Sequence, residues 1–235
     1  MSIPVVINAG GLGTRLLPLT KDVPKPLVRI GHLTIIEYIM KYYQEYGFND
    51  FHIIVNHKKE LIKEYFKDKK EYNITFYDEY EKLGSGGGLS LLKGHINSTF
   101  ILNNCDVLLL TDFNELVKSH FDNNEFVTVV VTNDKLRSSY GLIHESDGVI
   151  TSFEEKPKYQ YEMNCGVYVL EKEALDYFKD NTYADFITVV EDMIKDNKKA
   201  GTYSIEHFRF LELGNLQDYL ASSKTLKCLS LYNKK

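Results

Sequence analysis

The 235-residue sequence predicts an α/β fold: a mostly parallel but mixed β-sheet layered between helices as a three-layer sandwich. Three observations carry this expectation. In the first half, short β-branched runs alternate with stretches of helical periodicity, a pattern that demands crossover connections and hence parallel strands. After about residue 125, strand-like runs follow one another with little helix between them, so the second half reads as mixed or antiparallel. No Pro-, Gly- or Ser-rich linker separates the halves. The expectation is one domain, 1–235, whose two halves (1–125 and 126–235) share one sheet.

The elements follow in order. Ile3, Val5, Val6 and Ile7 make a short apolar run halted by Gly10-Gly11, which reads as a buried strand. A helix begins near Thr34, where Ile35, Ile36, Ile39, Tyr42, Tyr43 and Tyr46 recur at helical spacing and Gly47 takes the C′ position. Residues 51–55 are a second strand, 58–66 a helix with Leu61, Ile62 and Phe66 facing inward, and 73–77 a third strand. A glycine-rich turn then leads into a helix from about Gly87 and a strand at 100–102. Strands are expected at 126–131, 140–144, 149–153 and 165–170, and helices at 172–179, at 184–196 and from about Asn215.

Composition narrows the function classes. Hydrophobic residues are 43% and charged residues 26%, values that exclude a disordered or coiled-coil chain. The net charge of −5 argues against a nucleic-acid polymer as partner, because such proteins present a basic surface. The three cysteines form no C-x-x-C pair, so neither a zinc ribbon nor a redox pair is written here. No apolar run approaches the ~20 residues of a membrane span, and no basic and apolar leader opens the chain. A cytoplasmic location and no membrane partner are the expectation.

The chemistry concentrates where the first strand ends. Asn8-Ala9-Gly10-Gly11-Leu12-Gly13-Thr14-Arg15-Leu16 places three glycines and an alanine within five residues, so backbone N–H groups can approach an anion closely. Between Gly10 and Arg29 the cations are Arg15, Lys21, Lys25 and Arg29, against Asp22 alone. A polyphosphate suits such a segment. Arg15 can fork onto phosphate oxygens, and Lys25 offers a point charge on a backbone stiffened by Pro24 and Pro26. The dinucleotide fingerprint lacks its third glycine, since Leu16 stands there, and the P-loop lacks its Gly-Lys-Ser/Thr. The simpler reading of the loop, a tight turn from strand to helix, leaves Arg15 and Lys25 unexplained.

Gly10-Gly11-Leu12-Gly13-Thr14-Arg15-Leu16, with Pro18-Leu19-Thr20 and Pro24-Lys25-Pro26-Leu27, resembles the signature of the sugar-1-phosphate nucleotidyltransferases, also called nucleotide-sugar pyrophosphorylases. Further landmarks follow in order: Leu83-Gly84-Ser85-Gly86-Gly87, Asn104-Cys105-Asp106, Tyr140-Gly141, Glu154-Glu155-Lys156-Pro157 and Asn164-Cys165-Gly166-Val167-Tyr168. The likeness is strongest to glucosamine-, mannose- and heptose-1-phosphate guanylyltransferases, some of which carry an extra N-terminal regulatory domain that does not precede the first strand here. It implies the Rossmann-like nucleotide-diphospho-sugar transferase fold, with residues 1–125 as the nucleotide-binding half and 126–235 as the sugar-phosphate-binding half. It also implies a reaction in which an NTP, here GTP, and a sugar-1-phosphate give an NDP-sugar and pyrophosphate, for bacterial surface-glycan or nonulosonic acid precursors.

Site roles are implied in the same way. Ala9, Gly10, Gly11, Gly13, Thr14, Gly84, Ser85 and Gly86 would bind the nucleotide. Arg15 would hold the leaving phosphates and Lys25 the α-phosphate. Asp106 would hold Mg²⁺, and Gly141, Glu155, Lys156 and Asn164 would bind the sugar phosphate. Simpler readings stand beside these: Asp106 as a turn cap, and residues 154–157 as an exposed turn. The family's usual second metal-binding Asp follows a Trp two residues earlier, whereas this chain has Phe210-Leu211-Glu212-Leu213-Gly214. Glu212 is therefore either the second Mg²⁺ ligand or a surface carboxylate at the start of the last helix. The alternatives to GTP-dependent transfer are a CTP-dependent transfer to a sugar or other alcohol phosphate, and a non-catalytic subunit that senses a nucleotide-sugar. A homodimer is the commonest assembly to expect.

Overall fold

The computed structural model describes residues 3–137 and 140–232. The chain opens with β1 (Val5–Asn8), whose Val5 and Ile7 point into one core and Val6 into the other. Burial on both faces explains why this strand is uniformly apolar rather than alternating. A short hairpin, β2 (Arg29–Ile30) and β3 (Leu33–Thr34), then leads into α1 (Ile35–Glu45). The start of α1 is fixed by a capping box. Glu37 N–H donates to the Thr34 hydroxyl, and the Glu37 carboxylate accepts from Thr34 N–H at 2.8 Å. Gly47 closes the helix at φ 88°, a conformation that favours glycine.

The chain continues through β4 (Asp50–Val55), α2 (Lys59–Phe66) and β5 (Asn73–Asp78), then β6 (Phe100–Asn104), β7 (Val107–Leu109) and α3 (Phe113–Asp122). The second half contains β8 (Val127–Arg137), β9 (Leu142–Ser146), β10 (Val149–Glu154) and β11 (Lys158–Leu170). It closes with α4 (Phe186–Lys195), β12 (Ala200–Ile205), β13 (Phe210–Glu212) and α5 (Leu216–Tyr232). Seven strands form the central sheet in the order β12-β8-β11-β6-β1-β4-β5. Its ladders are parallel except at β11, which runs antiparallel to both β6 and β8. The expected mixed, mostly parallel sheet with helices packed on it is the fold observed.

The strand order places the ligand end of the sheet. From β1 the chain moves outward to β4 and β5, then returns to β6 on the other side of β1. The order therefore reverses between β1 and β6, and ligands bind outside the carboxyl ends of strands at such a switch point. The register Asn8↔Asn104 brings the two strand ends level. One core holds β1, α1 and α3 residues such as Ile7, Ile39, Tyr43 and Phe113, with the Tyr43 and Phe113 rings stacked 4.0 Å apart. The other holds Val6, Leu89, Leu92, Phe178, Phe186 and Met193.

Four expectations need correction. The segment from Gly87 is a 3-10 helix, Gly87–Leu92, because glycines at 86–88 disfavour an α-helix and Gly94 at φ 74° ends it after six residues. Lys172–Tyr177 is likewise a 3-10 helix, left at Phe178, whose backbone is extended. Leu61 is 47% exposed, since the inward stripe of α2 is Ile62 and Phe66, one turn apart. The expected strands at 140–144 and 149–153 are β9 and β10, which among the described residues pair only with each other, outside the central sheet. Five strands (β2, β3, β7, β12 and β13) and α3 are not anticipated by the sequence pattern. Among the described residues, no helix is long and apolar enough to cross a membrane.

Candidate active site

The loop after β1 is shaped by close approach. Gly13 has φ 68°, and a Cβ there would lie 3.0 Å from the Thr20 methyl and 3.1 Å from Lys25 Cβ. Thr20 closes the turn by donating its hydroxyl proton to the Gly13 carbonyl at 2.8 Å. Gly11 is different: an added Cβ would meet no protein atom within 4 Å, so the space above it is open to a ligand. Thr14–Leu16 forms a 3-10 turn anchored by the fully buried Leu16, which leaves Arg15 exposed beside it. Lys25 begins a second 3-10 turn, Lys25–Leu27, directly after Pro24.

Asp106 sits just past β6, in the turn to β7. Asn103 builds that turn: its side-chain amide donates to the Asn104 and Val107 carbonyls and accepts from the buried Tyr43 hydroxyl at 2.8 Å. Lys25 Nζ donates to Asp106 Oδ2 at 2.8 Å, with both side chains at least 85% buried. Burial opposes charge on Lys25. The neighbouring Cys105 and Asp106 outweigh it and hold the ammonium above its ordinary pKa. The Cys105 thiol itself is pushed up to about 11, chiefly by burial. Arg15 lies farther out, 4.0 Å from the same Asp106 oxygen and 70% exposed.

Glu212 arrives from the far end of the chain. β13 pairs antiparallel with β7 in the register Glu212↔Val107, and Leu213 N–H donates to the Asp106 carbonyl at 2.7 Å. The Ser222 hydroxyl of α5 holds the Glu212 carbonyl at 2.8 Å. Glu212 is thus the end of a strand, half-buried, and not a surface residue at the start of a helix. Burial, followed by the charges of Asp218 and Asp106, raises its pKa above the usual carboxylate value. A Cβ on Gly214 would stand 2.8 Å from Asp106 Oδ2, 3.4 Å from Glu212 Oε1 and 3.5 Å from Arg15 Nη2. Three charged groups therefore face one small space that only glycine leaves free. Two carboxylates converging on such a space fit a Mg²⁺ ion, which takes few protein ligands and completes its shell with water and phosphate. Among the described residues, no cluster of three or more His, Cys, Asp or Glu is arranged as a closed metal cage.

The glycine loop, Arg15, Lys25 and Gly214 line one open cleft of about 240 Å³, together with Lys82. Beside it lies the loop 84–88. Gly84, Gly86 and Gly87 are pressed against residues 182–186, where a Cβ would lie 2.5 Å from the Ala184 carbonyl, 3.0 Å from Phe186 and 2.3 Å from the Thr182 carbonyl respectively. Ser85 Oγ accepts from Phe186 N–H at 3.0 Å and bonds Asp185 at 2.5 Å, so its hydroxyl serves the start of α4. Asn8 ties the two loops together by donating to the Ser85 carbonyl at 2.9 Å.

Sequence reasoning passed over Glu79. It is 7% exposed, and one carboxylate oxygen lies 2.8 Å from where a Gly10 Cβ would be. The other accepts from Leu83 N–H at 3.2 Å and faces Gly88. Among the described residues it has no cationic partner, and burial raises its pKa. A carboxylate lodged between both glycine loops carries no sequence signal beyond the acidic run in which it stands.

The residues expected to bind the sugar phosphate form separate groups. Gly141 approaches Glu155 closely, its would-be Cβ 2.9 Å from Glu155 Oε2, and Lys156 Nζ lies 3.8 Å from Glu155 Oε1 with both side chains largely exposed. Among the described residues, no hydrogen bond or ion pair joins this trio to Lys25 or Asp106. Asn164 is nearer the cleft. Its amide spans a bulge in β11, donating to the Tyr168 hydroxyl and accepting from Gly166 N–H, each at 2.8 Å. Gly166 in turn abuts Asn104, two residues before Asp106.

Known proteins resemble this chain along most of its length. The chain is 34% identical to mannose-1-phosphate guanyltransferase 2 of Candida glabrata over 229 residues, 93% of this chain and 63% of that protein. It is 32% identical to the D-glycero-alpha-D-manno-heptose 1-phosphate guanylyltransferase of Campylobacter jejuni, covering 91% of this chain and 96% of that one. The relatives also include a UTP--glucose-1-phosphate uridylyltransferase, and the chain spans less than two thirds of the length of several curated relatives it matches. Among solved structures, HddC from Yersinia pseudotuberculosis superposes with a TM-score of 0.75 at 24% identity, over 95% of this chain and 99% of that one, a likeness of fold. The nucleotidyl transferase profile matches residues 4–227, nearly the whole chain, and the protein belongs to that family.

Proposed function

We propose that this protein transfers a nucleoside monophosphate from an NTP, preferentially GTP, to a sugar-1-phosphate, releasing pyrophosphate. The observation that carries the reading is the open cleft lined by the glycine loop, Arg15, Lys25 and Gly214, with Asp106 bonded to Lys25 and with Asp106, Glu212 and Arg15 all close to Gly214. Two polyanions must meet there, so the chemical problem is charge. Loop N–H groups and Arg15 hold the triphosphate. Lys25 lies against the α-phosphate and offsets charge as the sugar phosphate oxygen bonds to the α-phosphorus and the bond to pyrophosphate breaks. No side-chain nucleophile is required. Asp106 and Glu212 would hold Mg²⁺, which supplies neutralisation of the phosphate oxygens. Lys156 and Glu155 would take the sugar phosphate and its hydroxyls, with Asn164 and Gly141 beside them.

Glu79 supports the base preference. Guanine presents N1–H and N2–H₂ as adjacent donors, and one carboxylate accepts from both. Uracil offers a single N–H flanked by carbonyls, and cytosine and adenine offer a bare ring nitrogen that a carboxylate repels. A mismatched base leaves buried polar groups unpaired, at about 1–3 kcal/mol each. The test is pyrophosphate release with GTP, UTP, CTP and ATP against a panel of sugar-1-phosphates. The reading expects kcat/KM for GTP to lead by at least about tenfold, and Glu79→Gln to shrink that lead. UTP or CTP turned over as well as GTP by the wild-type protein overturns the base assignment.

A further inference from the structure

We infer that Lys82 is a pyrophosphate-binding residue, one that grips the leaving end of the triphosphate together with Arg15. The inference rests on the nucleotidyl-transfer reading above. Lys82 lines the same cleft as Gly11, Leu12, Gly13, Thr14, Arg15, Lys25 and Gly214, although it belongs to a different segment, the one running from Glu79 to the loop 84–88. That segment is pinned on both sides of it. Glu79 N–H donates to the Val55 carbonyl at 2.9 Å. The neighbouring Leu83 is buried, gives its N–H to the Glu79 carboxylate, and takes Gly87 N–H and Ala184 N–H on its own carbonyl. The backbone that carries Lys82 is therefore fixed while its side chain is exposed.

Its charge has no internal use. In a chain where acidic residues outnumber basic ones, Lys82 makes no hydrogen bond or ion pair among the described residues, whereas Lys59, Lys63 and Lys69 nearby are each paired with a carboxylate. Lys25 is committed to Asp106 at 2.8 Å, at the floor of the cleft. Arg15 and Lys82 are the remaining cations of its lining, and the glycine loop lies along the same cleft. A Mg²⁺-bound triphosphate is still a net anion. Lys25 is assigned to the α-phosphate, so the cations of the lining left for the terminal phosphates are Arg15 and Lys82. The same contact would hold pyrophosphate after the bond to the α-phosphorus breaks.

The test compares Lys82→Ala and Lys82→Arg with the wild-type protein in three measurements: inorganic pyrophosphate binding with Mg²⁺ by calorimetry, KM for GTP, and KM for the sugar phosphate. Loss of one charge-assisted contact should weaken pyrophosphate binding and raise KM for GTP by about tenfold in Lys82→Ala. Lys82→Arg should restore most of both, and KM for the sugar phosphate should stay within about twofold. A merely structural role would lower the melting temperature and move both substrate constants together. Unchanged pyrophosphate binding and GTP KM in Lys82→Ala, with an active wild type, overturns the inference alone. A wild-type protein that binds neither GTP nor pyrophosphate overturns the underlying reading with it.

Discussion

On the phosphate side of the cleft, Asp106 is held by a buried lysine, by the turn that Asn103 builds and by a strand delivered from the end of the chain. On the side proposed to bind the sugar phosphate, Glu155 and Lys156 stand at the foot of a two-stranded hairpin that pairs with no other strand among the described residues, and the two side chains lie 3.8 Å apart in the open. The contrast follows from what each side must do. Charge stabilisation in a transition state requires groups already in place, since reorganising them during the reaction would add to the barrier. Recognition of one sugar among many needs only a surface that closes on it. An isolated two-stranded hairpin, marginally stable by itself, suits the second task and would fail the first. Under the proposed function, one side of the molecule is preorganised and the other would be completed by substrate.

The largest effect should come from breaking the preorganised side. Lys25→Ala and Asp106→Asn should each lower kcat/KM by about 10²–10³-fold, the scale for losing a charge-stabilising group, as read by steady-state pyrophosphate release. Both should stay folded, because each leaves the surrounding backbone bonds intact. Turnover within a few-fold of wild type in either variant would remove the central pair from the mechanism.

Glu212 sharpens the comparison next. Glu212→Gln should cut turnover by about 10–100-fold and raise the Mg²⁺ concentration needed for half activity. Glu212→Asp should keep part of the activity. The raised pKa of Glu212 sets a pH signature. Its native pKa lies above the unfolded value, so protonation as pH falls through that raised pKa favours the folded state at this site while disabling the metal ligand. Half-saturating Mg²⁺ should therefore climb on the mildly acidic side in the wild type, and this dependence should flatten in Glu212→Gln. Equal Mg²⁺ requirements in the two proteins at every pH would return Glu212 to a structural role.

The smallest effect belongs to the open side. Lys156→Ala should raise KM for the sugar phosphate about tenfold, leave KM for the nucleotide alone, and change stability by less than about 0.5 kcal/mol, because its ion pair is solvent-exposed. A shift in nucleotide KM of the same size would mean that the two sides are not separable.

Much of the phosphate side is legible in the sequence, since Gly10 to Lys25 and Asn104 to Asp106 are contiguous runs whose chemistry and spacing coincide. Glu79 is not, because nothing in Asp78-Glu79-Tyr80-Glu81 distinguishes a buried carboxylate from a solvated one; its place is decided by how β5 and the two glycine loops meet. Lys82 is hidden among 28 Lys and Arg residues until the fold shows which cleft it lines. The position of Glu212 depends on a three-residue strand, β13, too short to carry a periodic pattern, pairing with another of equal length. The fold class is legible because β1, β4 and β6 are apolar runs buried on both faces. The separate pairing of β9 and β10 is not, because both strands are exposed and nothing in their pattern tells a central strand from a free hairpin.

The central claim is that the Lys25–Asp106–Glu212 cluster performs nucleotidyl transfer between two phosphate-bearing substrates. Pyrophosphate release by the wild-type protein, in a matrix of four NTPs against a panel of sugar-1-phosphates with Mg²⁺, tests it most directly. The account predicts release that requires both substrates and the metal, is fastest with GTP, and is nearly abolished in Lys25→Ala run in parallel. Release that proceeds without a sugar phosphate, or no release with any pair, would contradict it.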